Sequence, residues 1–209
     1  MNPFNRGSAA AFLVPALLFA VPLSVQAQNP MPGMKHDMAG MDMGLPAVNI
    51  PKGAIFTEAD IRFMQGMIAH HGQAIYMARL AAAHNAEPHL LKFAMKIDQS
   101  QRAEIALMQG WLRANKQFAP DSSAWQHMSM PGMLTAKQLA ALEAAKGTEF
   151  DRLFLTDMIQ HHEGALKMVD DLMNTPLAAQ DVDVSVFAND VTTVQTAEIG
   201  TMRRMLNSL

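Results

Sequence analysis

The sequence predicts an all-α protein, an antiparallel four-helix bundle built from a duplicated helical hairpin. Residues 57–77 align without a gap with residues 148–168, with ten identities in 21 positions. Residues 93–112 align in the same way with residues 187–206, with eight identities. Apolar positions in these segments recur at intervals of three and four, which is typical of helices with one buried face. No segment has the alternating pattern of a β-strand.

The first helix of each copy carries the clearest helical stripe. Its inward positions follow steps of 4, 3, 4 and 3, and each stripe contains a histidine. The first stripe consists of Phe63, Met67, His70, Ala74 and Met77, and the second of Phe154, Met158, His161, Ala165 and Met168.

Residues with known preferences for helix ends mark the boundaries. Thr57 with Asp60, and Thr148 with Asp151, predict capping boxes at the starts of the two first helices. We expect Pro88 at a helix start and Pro176 just past a helix end. We also expect a shorter helix over residues 135–146, which Gly147 terminates.

The N-terminal residues resemble an export signal. Arg6 precedes an apolar run over residues 9–23, and small residues before position 28 fit cleavage after Ala27. The run is shorter than the roughly 20 residues that cross a bilayer. We therefore expect an exported protein, periplasmic or extracellular, that does not stay in the membrane after signal cleavage.

The predicted organisation has three parts. A signal peptide at 1–27 precedes a flexible tail rich in Met and His at 28–56 and a bundle domain at 57–209. The repeats span residues 57–112 and 148–206, and the connector between them spans 116–147.

Composition excludes several classes of function. The chain has 209 residues, a formal net charge of −3, and no cysteine. The absence of cysteine rules out disulfides, thiolate metal sites and cysteine nucleophiles. The net negative charge does not indicate the basic surface that nucleic-acid-binding proteins have. The unusual feature is the presence of 19 methionines, because methionine is normally sparse.

Adjacent histidines on both first helices are the strongest candidates for metal binding. Successive helical residues point about 100° apart, so we expect one histidine of each pair at the centre of the stripe and the other at its edge. His70 and His161 are expected at the centre, and His71 and His162 at the edge. The candidate ligands are His70, His71, Met67, Met77, His161, His162, Met158, Met168, Met108 and Met202.

Polar residues lie on the inward stripe of the second helices. Buried polar groups need partners, since an unpaired one costs on the order of 1 to 3 kcal/mol. The facing histidines are the obvious partners, and these side chains would orient the imidazoles. They are Gln101, Glu104, Gln195 and Glu198.

Two further clusters are candidates for weaker metal sites, because neither is expected to be core. One lies in the tail and contains Met31, Met34, His36, Met38, Met41 and Met43. The other lies in the connector, near Trp125, and contains His127, Met128, Met130 and Met133.

Ligand softness favours copper. Thioether sulfur suits Cu(I), and imidazole beside it also accommodates Cu(II). A bound ion would compete with protons, because imidazole must be neutral to coordinate and ordinarily titrates near pH 6.5. We therefore expect copper binding to weaken below that pH.

Three strings of residues resemble a known family. They are MIAHHGQAIYMA at 67–78, MPGMLT at 130–135 and FDRLFLTDMIQHHEGALKM at 150–168. They are similar to the exported bacterial proteins of domain of unknown function 305. The resemblance covers about residues 57–206 and implies a ferritin-like bundle and periplasmic copper handling. The motif positions that carry over are His70, His71, Met77, His161, His162 and Met168.

Three functions remain open at this point. The first is a non-enzymatic protein that sequesters or transfers copper in homeostasis or resistance, with copper ions and other exported copper-handling proteins as partners. The second is a di-iron oxidoreductase, which would need Glu three residues before a histidine on two helices, where Met67 and Met158 stand instead. The third is a structural bundle without metal.

Overall fold

The computed structural model describes residues 45–209, and this part of the chain contains five α-helices and no strand. The prediction of an all-α protein is confirmed. The predicted signal peptide and the tail up to residue 44 lie outside the described residues. The helices are α1 (Glu58–Leu80), α2 (Pro88–Ala114), α3 (Ala136–Ala144), α4 (Thr148–Met173) and α5 (Val182–Asn207). Short 3-10 turns occupy Ala81–Ala83 and Ala124–Gln126.

The start of α1 has the predicted capping box. The Thr57 hydroxyl accepts from the Asp60 N–H at 3.3 Å. The Asp60 carboxylate in turn accepts from the Thr57 N–H at 2.7 Å. Two of the N–H groups that lack partners within the helix are thereby satisfied.

The predicted capping box at the start of α4 is wrong. The N-cap of α4 is Gly147, with a φ of 58°, and Thr148 already lies within the helix. The Asp151 carboxylate instead accepts from the Glu87 N–H, at 3.2 Å and 3.3 Å for its two oxygens. The helix therefore begins one residue earlier than expected, and Asp151 turns towards the loop between α1 and α2.

The proline signals at the other helix boundaries hold, but the expectation that Gly147 ends α3 is wrong, because the C-cap of α3 is Ala145 and Gly147 is the N-cap of α4. Pro88 lies at the start of α2, after Glu87 as N-cap, and Pro176 follows the end of α4. The helix expected over 135–146 is α3, which starts after a capping box of Thr135 with Gln138 and ends at Ala144.

The long helices enclose two apolar clusters. Helix α1 packs against α2 and α4, and α4 also packs against α5 and α3. One cluster joins the first half of α1 to the second half of α2, with Phe63 and Ile105 among its buried members. The other joins the second half of α1 to the first half of α2, with Met77 and Ile97. Opposite halves meet because α1 and α2 run antiparallel.

Helix α1 is enclosed by the connector as well as by its neighbouring helices. Gln73 binds the Leu134 backbone twice, accepting from its N–H at 2.7 Å and donating to its carbonyl at 3.2 Å. A Cβ at Gly72 would overlap the Ser122 carbonyl, so only glycine allows this approach. These contacts help to explain why 18 of the 23 residues of α1 are buried.

Residues 45–56 form no helix or strand, but they contact the helical body. Leu45, Val48 and Ala54 pack against the first apolar cluster. The Gln117 side chain donates to the Asn49 carbonyl at 2.7 Å. Among the described residues, no helix is long and apolar enough to cross a membrane.

Candidate functional site

Both histidines of each pair are buried. His70, His71 and His162 have no exposed surface, and His161 is 1% exposed. The edge positions of His71 and His162 are therefore as fully covered as the stripe centres. Because α1 and α4 each contact two long helices, a residue one position round from the stripe centre still faces protein rather than solvent.

The two central histidines contact each other across α1 and α4. The ring centroids of His70 and His161 are 3.8 Å apart, and the rings are tilted by 40°. The four histidines lie along α1 and α4 where one apolar cluster gives way to the other. A polar layer thus crosses an otherwise apolar interior.

The protonation state of His70 follows from its hydrogen bond. Its Nε2 lies 3.0 Å from the Pro131 carbonyl oxygen. A carbonyl can only accept, so Nε2 carries the proton and donates it. In the neutral ring, Nδ1 then holds the lone pair that can bind a metal ion.

A carboxylate orients the second histidine of each pair. His71 Nε2 donates to Glu104 Oε2 at 2.6 Å. His162 Nε2 donates to Glu198 Oε2 at 2.9 Å. A carboxylate that holds one imidazole nitrogen fixes the ring and makes the other nitrogen a better ligand, so these contacts present Nδ1 of both rings.

Five imidazole nitrogens in this layer have no hydrogen-bond partner among residues 45–209. We call them the open nitrogens, and they are Nδ1 of His70, His71 and His162 and both ring nitrogens of His161. The His70 backbone lies near His161 but outside hydrogen-bond geometry. Because buried polar atoms are normally paired, such a concentration indicates a site that can accept a ligand.

Burial keeps the two central histidines neutral. It lowers the pKa of His70 from 6.5 to about 3; His71 contributes to this, and the Pro131 hydrogen bond opposes it. Burial, followed by the charges of the other three histidines, also lowers the pKa of His161 well below 6.5. Protons therefore compete with a metal ion at these two rings only well below the expected pH of 6.5.

Three of the four polar residues of α2 and α5 are buried, as the stripe predicts, whereas Glu104 is half-buried. Gln101 and Gln195 are buried, and neither side-chain oxygen has a partner in the described part of the chain. Lys96 Nζ lies 3.7 Å from Glu198 Oε1, which is an ion pair but is too long for a hydrogen bond. The inward stripe does not predict Lys96, because Lys96 lies outside it.

Comparison with known proteins identifies the family. A family model described as domain of unknown function (DUF305) matches residues 60–206. The chain belongs to the DUF305 family. No curated protein matches the sequence.

Solved structures of other DUF305 proteins share this fold. A DUF305 fragment from Deinococcus radiodurans is 27% identical, with a TM-score of 0.65, covering 74% of this chain and 99% of that one. A DUF305 protein from Streptomyces coelicolor, provisionally described as secreted, is 25% identical with a TM-score of 0.64, covering 72% and 93%.

CopM is a third similar structure. Its Cu(I)-bound form is 30% identical to this chain, with a TM-score of 0.57, covering 71% of this chain and 96% of CopM. CopM has also been solved with Cu(II), with silver and in an apo form.

The methionines predicted as ligands in the DUF305 helices are all fully buried. They divide between the two apolar clusters rather than gathering at one point. Met67, Met108 and Met168 belong to the first cluster, and Met77, Met158 and Met202 to the second. No three His, Asp or Glu side chains in residues 45–209 are arranged to hold a metal ion.

The connector of the DUF305 domain differs from the expected exposed cluster. Met128 and Met130 are buried in the first apolar cluster, and Met133 packs against it, whereas His127 is exposed. The expectation that this cluster is not core is wrong for these methionines, because α1 offers them an apolar surface. The predicted tail sites lie outside the described residues; they are Met31, Met34, His36, Met38, Met41 and Met43.

The MPGM segment at residues 130–133 has a structural role that its sequence alone does not indicate. Gly132 has a φ of 78°, and a Cβ on Gly164 of α4 would overlap the Pro131 carbonyl. Paired glycines therefore let the connector backbone approach α4 closely enough for Pro131 to reach His70. Two glycines in the sequence could have indicated this contact. They are Gly132, which follows a proline, and Gly164, which follows the second histidine pair.

Proposed function

We propose that this protein is an exported copper-binding protein that sequesters or transfers Cu(I) and Cu(II) in copper homeostasis. The observation that carries the proposal is the set of open nitrogens, above all the two on His161. A buried neutral imidazole with both nitrogens unpaired in the described chain has no evident structural purpose, and removing its hydration costs free energy. Copper coordination would satisfy the nitrogen that holds the lone pair.

The donor set supports copper over harder ions. The open nitrogens supply imidazole ligands, and Met67 and Met158 lie one helical turn before His70 and His161. Thioether sulfur with imidazole suits Cu(I) and tolerates Cu(II). The similarity to CopM, which has been solved with both copper ions, is in keeping with this choice.

In this proposal the protein binds its cargo without catalysing a reaction. His70 Nδ1 and His161 would be the central ligands, while Glu104 and Glu198 hold His71 and His162 in position. The methionines of the tail would add weaker, exchangeable sites, and other exported copper-handling proteins would donate or receive the ion.

We also propose that the four long helices form a ferritin-like bundle from a duplicated hairpin. The sequence repeat supports this, as do the two matched contacts in which Asp60 and Asp151 each bind a loop of the opposite hairpin. Export rests on the signal-like residues 1–27 and on the description of the Streptomyces relative.

A di-iron oxidoreductase is a weaker candidate. Such a site draws a Glu or a Glu-x-x-His from each helix, so it needs four carboxylates. The layer contains two, Glu104 and Glu198, and each already binds a histidine.

The deciding experiment is copper binding by the full chain and by His161→Gln. Competition titrations with a Cu(I) chelator should show one high-affinity site fewer, or at least tenfold weaker binding there. His89→Gln removes an exposed histidine and serves as the matched control. Equal binding by all three proteins, with copper on none of the core histidines, would leave only a structural bundle.

A further inference from the structure

The two histidine–glutamate pairs differ in their access to solvent. The Glu104 side chain is 25% exposed, while that of Glu198 is 4% exposed. Lys96 lies beside Glu198 Oε1 at 3.7 Å. Glu104 has no Lys or Arg partner within residues 45–209. Two sites with the same chemistry are therefore open to cations to different degrees.

The charged side chains on the face between α2 and α5 also differ around the two glutamates. Positions 96 and 190 correspond in the repeat, but one is Lys and the other is Asp. The two helices run antiparallel, since Lys96 meets Glu198 near one end of the face and Trp111 meets Asp181 at the other. The same register brings exposed Asp190 opposite Glu104.

A groove of about 630 Å³ continues this acidic region towards solvent. It lies between the second half of α2 and the first half of α5, and its lining includes Asp181, Asp183 and Asp190 but no Lys or Arg among the described residues. Phe187 also lines it, and the Phe187 ring is 6.5 Å from that of His71. The groove therefore approaches the polar layer on the side of His71.

Three of the matching positions at the other end of this face are basic, while Asp181 and Asp183 correspond to Glu87 and His89. Val186, Asp190 and Gly110 of the groove correspond to Lys92, Lys96 and Arg204. Carboxylates in a cleft raise the local concentration of cations, and basic side chains lower it. The surroundings of Glu104 therefore carry more negative charge than those of Glu198, where Lys92 and Lys96 replace Val186 and Asp190.

We propose that metal ions enter and leave the polar layer at the acidic end, through Glu104 and His71, and that Lys96 closes the opposite end to cations. This inference rests on the proposed function. Glu104 meets the arriving ion because its carboxylate is accessible and carries negative charge that no Lys or Arg of residues 45–209 neutralises. Lys96 is a positioning residue, which acts through Glu198 and through its charge.

The test measures exchange rates rather than affinity. Full-length chain labelled with ¹⁵N histidine receives half an equivalent of Ag(I), and exchange spectroscopy on the core histidine signals reports how fast the ion enters and leaves. Glu104→Gln should slow this exchange by about tenfold. Unchanged or faster exchange in that variant would overturn the proposal. If silver shifts no core histidine signal in the unaltered protein, the proposed function itself fails, which is a separate result.

Exposed charge variants keep the proposal testable if Glu104→Gln fails to fold. Asp190→Asn should slow exchange, and Lys96→Gln should accelerate it, each by about threefold. Matched controls are Glu149→Gln and Lys137→Gln, which change the same charges elsewhere on the exposed surface. The differences should shrink in 1 M salt, where the screening length falls to about 3 Å. Equal effects in variants and controls would show that only net charge matters and would overturn the proposal.

Discussion

The Asp60 carboxylate accepts a hydrogen bond from the Ala179 N–H at 2.7 Å, across 119 positions of the chain. Asp60 lies in the first turn of α1, and Ala179 lies in the loop between α4 and α5. Asp151, at the matching position of α4, binds the Glu87 N–H before α2 in return. Each first helix therefore holds the loop of the other hairpin, which ties the two halves of the domain together at both ends.

Replacing Asp60 with Ala should destabilise the fold strongly. The substitution removes three hydrogen bonds to a buried carboxylate, from the Thr57 N–H, the Thr57 hydroxyl and the Ala179 N–H. We expect a loss of about 2 to 4 kcal/mol in the free energy of unfolding, measured by urea denaturation. Asp190→Ala is the exposed control and should change stability by less than about 0.5 kcal/mol. Similar values for both variants would contradict this role of Asp60.

Burial of His70 should make the fold sensitive to mild acid. Its folded pKa of about 3 lies below the unfolded value near 6.5, so the unfolded chain binds a proton first as the pH falls. The contribution of the neutral His70 ring to the free energy of unfolding is fully present above pH 6.5, and it is lost progressively as the pH falls to about 3. The loss reaches on the order of 2 kcal/mol by pH 5.

His70→Gln should remove this part of the acid sensitivity. Denaturation at pH 7.5 and pH 5 would show a smaller stability difference in His70→Gln than in the unaltered protein. His89→Gln, which alters an exposed ring, should keep the full difference. Buried Asp157, whose pKa is raised by burial, responds with the opposite sign but is common to all three proteins. An identical pH dependence in all of them would contradict the prediction.

Gly164→Ala should disturb the connector. Its Cβ would overlap the Pro131 carbonyl, so the connector must move away from α4 and the His70 hydrogen bond is lost. We expect destabilisation of about 1 to 3 kcal/mol. Gly110→Ala, in α2, meets no atom within 4 Å and should stabilise the helix by about 0.5 to 1 kcal/mol. Calorimetry on the two variants should give shifts of opposite sign, and shifts of the same sign would refute the close approach.

Changing the five tail methionines to leucine should lower copper capacity without altering helix stability. Leucine retains the apolar bulk but removes the sulfur that binds copper. The substituted residues are Met31, Met34, Met38, Met41 and Met43. Metal analysis after equilibration with Cu(I), together with circular dichroism, would measure both effects. An unchanged copper stoichiometry would show that the tail is only a spacer.

The sequence by itself determined the helices and the chemistry of their inward faces. Hydrophobic spacing located α1, α2, α4 and α5, because a helix that buries one face must repeat apolar residues every three or four positions. The same stripes placed His70, His161 and Glu198 inside. These are local properties, and they hold whatever the helices pack against.

Only the tertiary structure decided what surrounds each face. Periodicity places His71 at the edge of the stripe, but it cannot show that this edge is buried or that the connector methionines join the core, because both depend on the elements that cover the remaining sides of α1. The connector also supplies the Pro131 carbonyl that sets the protonated nitrogen of His70. The sequence repeat already shows Lys96 where the second copy has Asp190. Only the antiparallel register of α2 and α5 shows that this lysine lies beside Glu198. Such contacts join residues far apart in the chain, and no local pattern encodes them.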